Sequence, residues 1–327
     1  MKLDELAKLA GVSRTTVSYV INGKAKDYRV SDKTIAKVEA LIEQYQFKPN
    51  AMAASLRVGK TNTIGLIIPD FQNQSYAKIA NGLEAKFRAE NYQVLMACSH
   101  DETDNEQDCV SHLQHRQVDA LIVTSAMQQT DFYHKMKLPI IGLDREIQGK
   151  NNILCDDEND AYQLASTLLK GKNPSSVLFL GAKSELSVSQ NREKGFRRAL
   201  QENHITVDFV YVSHFSQQET NKVFKQWLEK NSLPDCIFVT SLTLLQGFLK
   251  AVWQKWQKIP PHLAIATFGE HDMLDFLSNP IVCSVQRYDE IVEKMFNLVM
   301  QKFNVKGKKE VLPNIIIPRE IVIKNKI

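Results

Sequence analysis

The sequence predicts an α/β protein in two parts: a small all-helical head and a larger body of two lobes, each a doubly wound parallel sheet. Three observations carry this. Apolar residues near the N-terminus recur at helical spacing, with Gly and Ser at the breaks. Beyond residue 62, short apolar runs alternate with amphipathic stretches, the pattern of buried parallel strands joined by crossover helices. The charge is also uneven. Residues 1–62 hold eleven Lys/Arg against six Asp/Glu, a net of +5, whereas the other 265 residues hold 30 against 31. All of the chain's formal +4 therefore belongs to the head, as expected of a module that attracts phosphates attached to one that does not.

The first helix is read from Leu3, Leu6, Ala7 and Ala10, which form one apolar face. Gly11 tolerates the left-handed backbone of a sharp reversal, Val12 can plug the gap, and Ser13 can cap a second helix with inward Val17, Val20 and Ile21. Asn22-Gly23 ends that helix. Two short helices joined by a Gly-containing bend make a helix-turn-helix, whose second helix offers its N-terminal residues to base edges. Arg14, Thr15 and Tyr19 face outward there and are not needed for the core.

A third helix opens at Ser31-Asp32-Lys33-Thr34 and turns Ile35, Val38, Leu41 and Ile42 inward. The stretch Asn50–Arg57 that follows is Ala-rich with Asn50 as N-cap, but it is about half the ~12–15 residues an isolated helix needs in water. It should fold only against a partner. In a symmetric dimer on DNA the partner is its own copy and the minor groove, with Leu56 as the wedge into a base step. The other reading is an Ala-rich linker with Leu56 in the core.

In the body, strands are expected at Thr63–Ile68, Tyr92–Ala97, Asp119–Thr124, Pro139–Leu143, Ser176–Gly181, Phe209–Val212, Asp235–Thr240, Leu263–Phe268 and Ile281–Val285. Amphipathic stretches such as Tyr76–Asn91, Arg192–Asn203, Gln217–Asn231 and Leu244–Gln257 lie between them. Breaks at Asp156–Asp160 and Pro174-Ser175 mark the expected crossing from one lobe to the other. Ligands of such sheets lie off the carboxyl ends of the strands.

Enzyme and membrane readings find little support. Gly59-Lys60-Thr61 looks like a P-loop tail, but Ala54 stands where the first Gly belongs and the segment precedes a strand instead of following it. No GxGxxG follows a candidate strand, and neither GxSxG nor HExxH occurs, so no cofactor, no metal and no catalytic residue is assigned. Five widely spaced cysteines without a CxxC pair read as reduced packing residues. With no apolar leader and no run of about 18 apolar residues, a cytoplasmic protein without membrane contact is expected.

Two segments, LAKLAGVSRTTVSYVIN and KPNAMAASLR, resemble the head and hinge of the lactose/galactose-repressor family. The resemblance continues through IGLIIPDFQNQSYAKIANGLE, ELSVSQNREKGFR, LLQG and LAIATFG, in order and spacing over nearly the whole chain. The insertion Lys24–Arg29 before the third helix is longer than in most members and resembles the branch that senses phosphorylated fructose.

The resemblance implies a helix-turn-helix domain at 1–48, a hinge helix and linker at 49–62, and an effector-binding and dimerisation domain at 63–327 with a periplasmic-binding-protein fold. The chain should return to the first lobe near Arg287–Glu290, giving lobes of about 63–158 with 288–327, and 159–287. DNA contacts are expected at Arg14, Thr15, Thr16, Tyr19, Asn22, Arg29, Asn50, Ala53 and Leu56.

Effector contacts are expected at Asp70, Gln74, Ser75, Tyr76, Asp144, Arg145, Arg192, Ser241, Glu270 and Arg287, with Arg192 the firmest. For Ser75 and Tyr76, a helix cap and a packing aromatic remain the alternative. Ser241 stands where members often have Asn, and Gly269 where they have Asp, and both departures argue against an unphosphorylated sugar or purine. Arg145, Arg192 and Arg287 can instead neutralise a phosphate. The implied function is a carbon-metabolism regulator, not an enzyme, released from a double-stranded DNA operator by a phosphorylated sugar. Fructose 1-phosphate is the expected effector, with fructose 1,6-bisphosphate weaker. The alternative is a sugar receptor without DNA function. A homodimer is expected; no Leu-heptad tail supports a coiled-coil tetramer, and tetramers by face-to-face packing stay open.

Overall fold

The computed structural model describes residues 1–47, 60–170, 174–201, 205–304 and 313–325. It separates into two units, Met1–Thr61 and Asn62–Ile327.

The first unit holds three helices, α1 (Leu3–Ala10), α2 (Arg14–Ile21) and α3 (Asp32–Gln44). Gly11 ends α1 at φ +67°, and Ser13 Oγ accepts the Thr16 N–H at 3.1 Å to start α2. Ser31 caps α3 in the same way. Such caps each contribute roughly 1 kcal/mol. Leu6, Ala7, Ala10, Val17, Val20, Ala25, Val38 and Phe47 form the core, so the apolar face read from the sequence is the buried one. The insertion at 24–29 sends Ala25 into that core and stacks Tyr28 on Tyr19, ring centroids 3.7 Å apart and planes within 2°.

In the second unit the chain runs β1 (Thr63–Ile68), α4 (Gln74–Ala89), β2 (Gln93–Cys98), α5 (Thr103–His115), β3 (Ala120–Val123), a 3-10 turn (Asp131–Lys135), β4 (Ile140–Leu143) and β5 (Asn151–Leu154). Next come α6 (Asp157–Leu169), β6 (Ser176–Ala182), α7 (Ser187–Leu200), β7 (Thr206–Val212), α8 (Gln217–Lys230), β8 (Cys236–Val239), α9 (Leu242–Trp256), β9 (Ala264–Phe268), a 3-10 turn (Asp272–Phe276) and β10 (Ile281–Val285). The last elements are α10 (Tyr288–Asn304), β11 (Ile315–Ile316) and β12 (Glu320–Lys324).

Two six-stranded sheets result, ordered β2-β1-β3-β4-β5-β11 and β7-β6-β8-β9-β10-β12. The first is wholly parallel; in the second, β12 is antiparallel to β10. Both sheets are buried on two faces. Helices α4 and α10 cover one face of the first sheet with Ile79, Leu83, Phe87, Met295 and Val299, and α5 with the first 3-10 turn covers the other with Val110, Leu113 and Tyr133. In the second lobe α8 and α9 bring Phe224 and Phe248 to one face, and α6 and α7 bring Leu164 and Phe196 to the other. Helices α6 and α7 approach closely because Gly195 has no side chain: a Cβ there would lie 2.0 Å from the Glu158 carbonyl oxygen.

Two expectations about the lobes are corrected. Pro174-Ser175 lies inside the second lobe, between α6 and β6, and the crossing falls at Cys155-Asp156 alone. The tail 288–327 does not stay in the first lobe. After α10 and β11 the chain crosses a third time at Pro318-Arg319, and β12 closes the second sheet. Proline explains the break, because Pro318 has no N–H for a sheet ladder and separates β11 from β12. Strand β5 escaped the sequence reading because Asn151-Asn152 is polar, although both residues are buried. Among the described residues no helix is long and apolar enough to cross a membrane, and no disulfide joins the five cysteines.

Candidate effector cleft and DNA-reading head

The cleft lies where both sheets end. Asp70 follows β1, Ser75 and Tyr76 open α4, Asp144 and Arg145 follow β4, Arg192 projects from α7, and Ser241 caps α9. These seven expected residues line one cavity between the lobes.

Asp144 is its centre. It sits at φ +63°, a left-handed conformation that aspartate tolerates better than most residues. Its carboxylate accepts Tyr76 Oη at 2.9 Å and Gln286 Nε2 at 2.9 Å, and lies 3.5 Å from Arg319 Nη2. Burial alone would raise its pKa, but the charges of Arg319, Arg192 and Arg145 outweigh it and hold the carboxyl below its ordinary value. Burial, aided by Asp144, pushes the Tyr76 phenol well above its usual range.

Three guanidinium groups converge on the cavity, all buried. Arg192 Nε donates to Asp157 at 2.8 Å and its Nη1 to the Thr240 carbonyl at 2.7 Å, with the guanidinium 4.3 Å from the Phe268 ring centre. Arg319 Nη1 donates to Asp157 at 3.0 Å and to Asp160 at 2.9 Å. Arg145 Nη1 donates to Asp101 at 2.6 Å and to the Ser125 carbonyl at 3.0 Å. Such pairs persist in a low-dielectric interior only when hydrogen bonds compensate their desolvation, which these arrangements supply.

Three expected effector residues are not brought to the cavity. Gln74 stands half-buried at the start of α4 without lining it. Glu270 pairs with Lys324 of β12 at 2.8 Å. Arg287 is 42 % exposed and pairs with Glu320 at 3.0 Å, because the chain leaves the cleft at Gln286. Asp70 lines the cavity but spends one oxygen on the N–H groups of Gln72 and Asn73. The sequence reading missed Asp101, Phe268, Gln286 and Arg319. Phe268 and Gln286 stand at or just after the carboxyl ends of β9 and β10, so the strand-end rule itself points to them.

In the head, Arg14 and Thr15 are exposed at the start of α2. Among the described residues Arg14 makes only a solvent-exposed pair with Asp4 at 3.4 Å, worth well under about 1 kcal/mol and readily exchanged. Thr16 bonds Ser13 through its hydroxyl, and Asn22 Nδ2 donates to the Ser18 carbonyl, so both hold the ends of α2. Arg29 is exposed at φ +55°. Asn50, Ala53 and Leu56 lie outside the described residues.

A helix-turn-helix head followed by a two-lobed, ligand-cleft body defines a class of ligand-responsive bacterial regulators. The chain belongs to the lacI family: residues 2–50 match the model of bacterial regulatory proteins of the lacI family, and residues 61–325 that of periplasmic binding proteins and the sugar-binding domain of the LacI family. It is 47 % identical over 306 residues to the catabolite repressor/activator of Salmonella typhimurium, covering 92 % of this chain and 91 % of that protein. It is 38 % identical over 330 residues to the fructose operon regulatory protein of Vibrio cholerae, covering 99 % and 100 %. The Cra regulator of Pseudomonas putida, solved with fructose 1-phosphate, superimposes with a TM-score of 0.73 at 31 % identity over 81 % of this chain and 99 % of that one. The lac repressor dimer bound to operator, at 19 % identity, shares the fold with a TM-score of 0.80 over 98 % and 97 %.

Proposed function

We propose that this protein is a cytoplasmic transcription regulator of carbon metabolism that binds a near-palindromic DNA operator as a homodimer and is released by a phosphorylated sugar. Fructose 1-phosphate is the foremost effector, with fructose 1,6-bisphosphate weaker. One observation carries the ligand assignment: Arg145, Arg192 and Arg319 reach the same inter-lobe cavity. Guanidinium groups offer planar, paired donors to phosphate oxygens, and a neutral sugar has no charge to match them. Asp144 and Gln286 add the polar groups a sugar ring needs. Ser241, with its hydroxyl capping Leu244, and Gly269 offer less to an unphosphorylated ligand than longer polar side chains would. That the Pseudomonas putida relative is seen with fructose 1-phosphate supports the same reading.

In the head, Arg14, Thr15 and Tyr19 read bases from α2, while Thr16, Asn22 and Arg29 shape that surface or contact phosphates. A second copy of the chain docks on the face carrying Phe276, which is 87 % exposed on the second 3-10 turn. Met273 of that turn touches Gln246 of α9, and Asp275 pairs with Lys324 of β12, so Trp253 and Ile323, each about half exposed, stand on adjoining elements. The effector acts by binding the weak-DNA arrangement of the lobes better than the strong one; equal affinity would shift nothing.

A mobility-shift titration on an operator fragment tests the whole reading. Fructose 1-phosphate should release the protein and free fructose should not. Binding of the sugar phosphate without any operator complex would leave a receptor and overturn the DNA assignment.

A further inference from the structure

The cleft is not net cationic. Around its three guanidinium groups stand four carboxylates, Asp101, Asp144, Asp157 and Asp160. A phosphate entering this set adds negative charge to a surplus of negative charge, unless one carboxylate gives way. The three arginines differ in how firmly they are held. Arg319 is bound to three carboxylates, and Arg192 is bound to Asp157 and the Thr240 carbonyl and lies over Phe268. Arg145 pairs with one carboxylate, Asp101, and its buried Nε has no hydrogen-bond partner among the described residues.

Asp101 is also the carboxylate best placed to leave. Asp157 and Asp160 lie in the first turn of α6, and Asp144, the first residue after β4, is bonded to Tyr76, Gln286 and Arg319, whereas the Asp101 carboxylate, in the loop between β2 and α5, pairs with Arg145. His100 and Asp101 hold φ of +55° and +58°, two left-handed residues in succession where Asp144 is one, and such a run costs a non-glycine chain unless surrounding contacts impose it. Those contacts come from both lobes: Arg145 holds the carboxylate, and Lys183 of the second lobe donates to the Asp101 carbonyl at 3.0 Å and to Glu102 at 2.7 Å.

We propose that Asp101 is an internal competitor for the effector's phosphate on Arg145, and thereby sets both the preference for a charged ligand and the concentration at which the protein responds. The proposal rests on the reading of the cleft as a sugar-phosphate site. Phosphate exchanges with the Asp101 carboxylate on Arg145, the loop is free to leave its left-handed conformation, and the Lys183 grip between the lobes loses one of its two anchors. Apparent affinity is the intrinsic affinity multiplied by the fraction of protein in which Asp101 has let go.

The test is Asp101→Asn, which removes the charge but suits the backbone, since asparagine is among the residues that best tolerate left-handed φ. By calorimetry the variant should bind fructose 1-phosphate about tenfold or more tightly than the wild type, the value of roughly one charge-assisted hydrogen bond. Inorganic phosphate should raise its melting temperature more than it raises that of the wild type. The double variant Asp101→Asn/Arg145→Gln should lose that added response. Asp101→Gly, which also accepts the backbone, should behave as the Asn variant does. Unchanged or weaker fructose 1-phosphate binding by both single variants would show that Asp101 holds the ligand or is inert, and would overturn the proposal. If fructose 1-phosphate fails to bind even the wild type, the sugar-phosphate reading falls. The phosphate-dependent melting of the single and double variants still decides whether Asp101 shields Arg145.

Discussion

The two lobes share one strand order, apart from the antiparallel β12, and answer for opposite halves of the cleft's charge in different ways. In the second lobe, Asp157 and Asp160 at the start of α6 neutralise Arg192 and Arg319 with short, buried bonds. In the first lobe, Arg145 is matched by one carboxylate on a strained loop. A common sheet order therefore places ligand-facing side chains at equivalent strand ends without fixing how they are compensated. Arg319 and Arg192 are each held by several short bonds to carboxylates or carbonyls, and Arg145 by a single carboxylate and one carbonyl.

The largest expected effect breaks or confirms this contrast directly. Arg319→Ala leaves Asp144, Asp157 and Asp160 buried with too few partners and should cost about 3–5 kcal/mol of stability, read by chemical denaturation. Arg145→Gln removes a cation with a single carboxylate partner and should cost distinctly less. If the Gln variant proves the less stable of the two, the contrast between the lobes is wrong.

Ligand binding sharpens the comparison. Arg192→Ala should weaken fructose 1-phosphate by roughly 2–5 kcal/mol, since truncating one member of a buried charged pair usually costs that much, and the protein should stay on its operator at inducing concentrations. Arg145→Gln should lose the distinction between fructose 1-phosphate and fructose by calorimetry. Normal induction of the Arg192→Ala protein would move the phosphate entirely to the first lobe.

The head serves as the control that touches neither lobe. Arg14→Ala should reduce operator affinity by about 1–3 kcal/mol and relax preference at one position per half-site, with sugar-phosphate binding unchanged. Equal weakening on every single-base variant of the operator would reassign Arg14 to a phosphate contact.

The smallest expected effect compares two buried carboxylates of the first lobe. Asp144 is held below its ordinary value, so the stability it lends is present above its unfolded pKa of about 3.9 and is lost as pH falls through the lower native value. Glu106 is fully buried among Ser125, Tyr133 and the Ala126 N–H, and burial raises its pKa against those hydrogen bonds. Its sign is reversed: stability is lost as pH rises from its unfolded pKa of about 4.3 toward the raised native value. Thermal melts between pH 4 and 8 should show Asp144→Asn most destabilised at neutral pH, and Glu106→Gln comparing best with the wild type there. A Glu106→Gln protein with the wild-type pH slope would remove this difference.

Much of this was readable from residue order. The helix-turn-helix follows from Gly11, Ser13 and a few apolar positions, because capping and periodicity act over one or two turns. Asp144, Arg145 and Arg192 were named through the family resemblance, position by position, and the structure brings all three to the cavity. Arg319 was not. It reaches Asp157 from 162 positions along the chain by way of a third crossing, and no local pattern announces such an approach. Arg287 misled for the complementary reason: one residue separates the buried Gln286 from a surface pair with Glu320, and sequence has no resolution at that scale.

The three crossings at Cys155-Asp156, Gln286-Arg287 and Pro318-Arg319 have a mechanical meaning. Gln286 touches Cys155 and Asp144, and Arg319 is bonded to Asp157 just beyond the first crossing, so the connections are cross-braced. Two tethers let one body swing and twist on another, whereas a third, braced to both, stiffens the twist and leaves a single easy axis. Asp144 and Arg319, bonded to each other, to Gln286 and to Asp157, stand at that bracing.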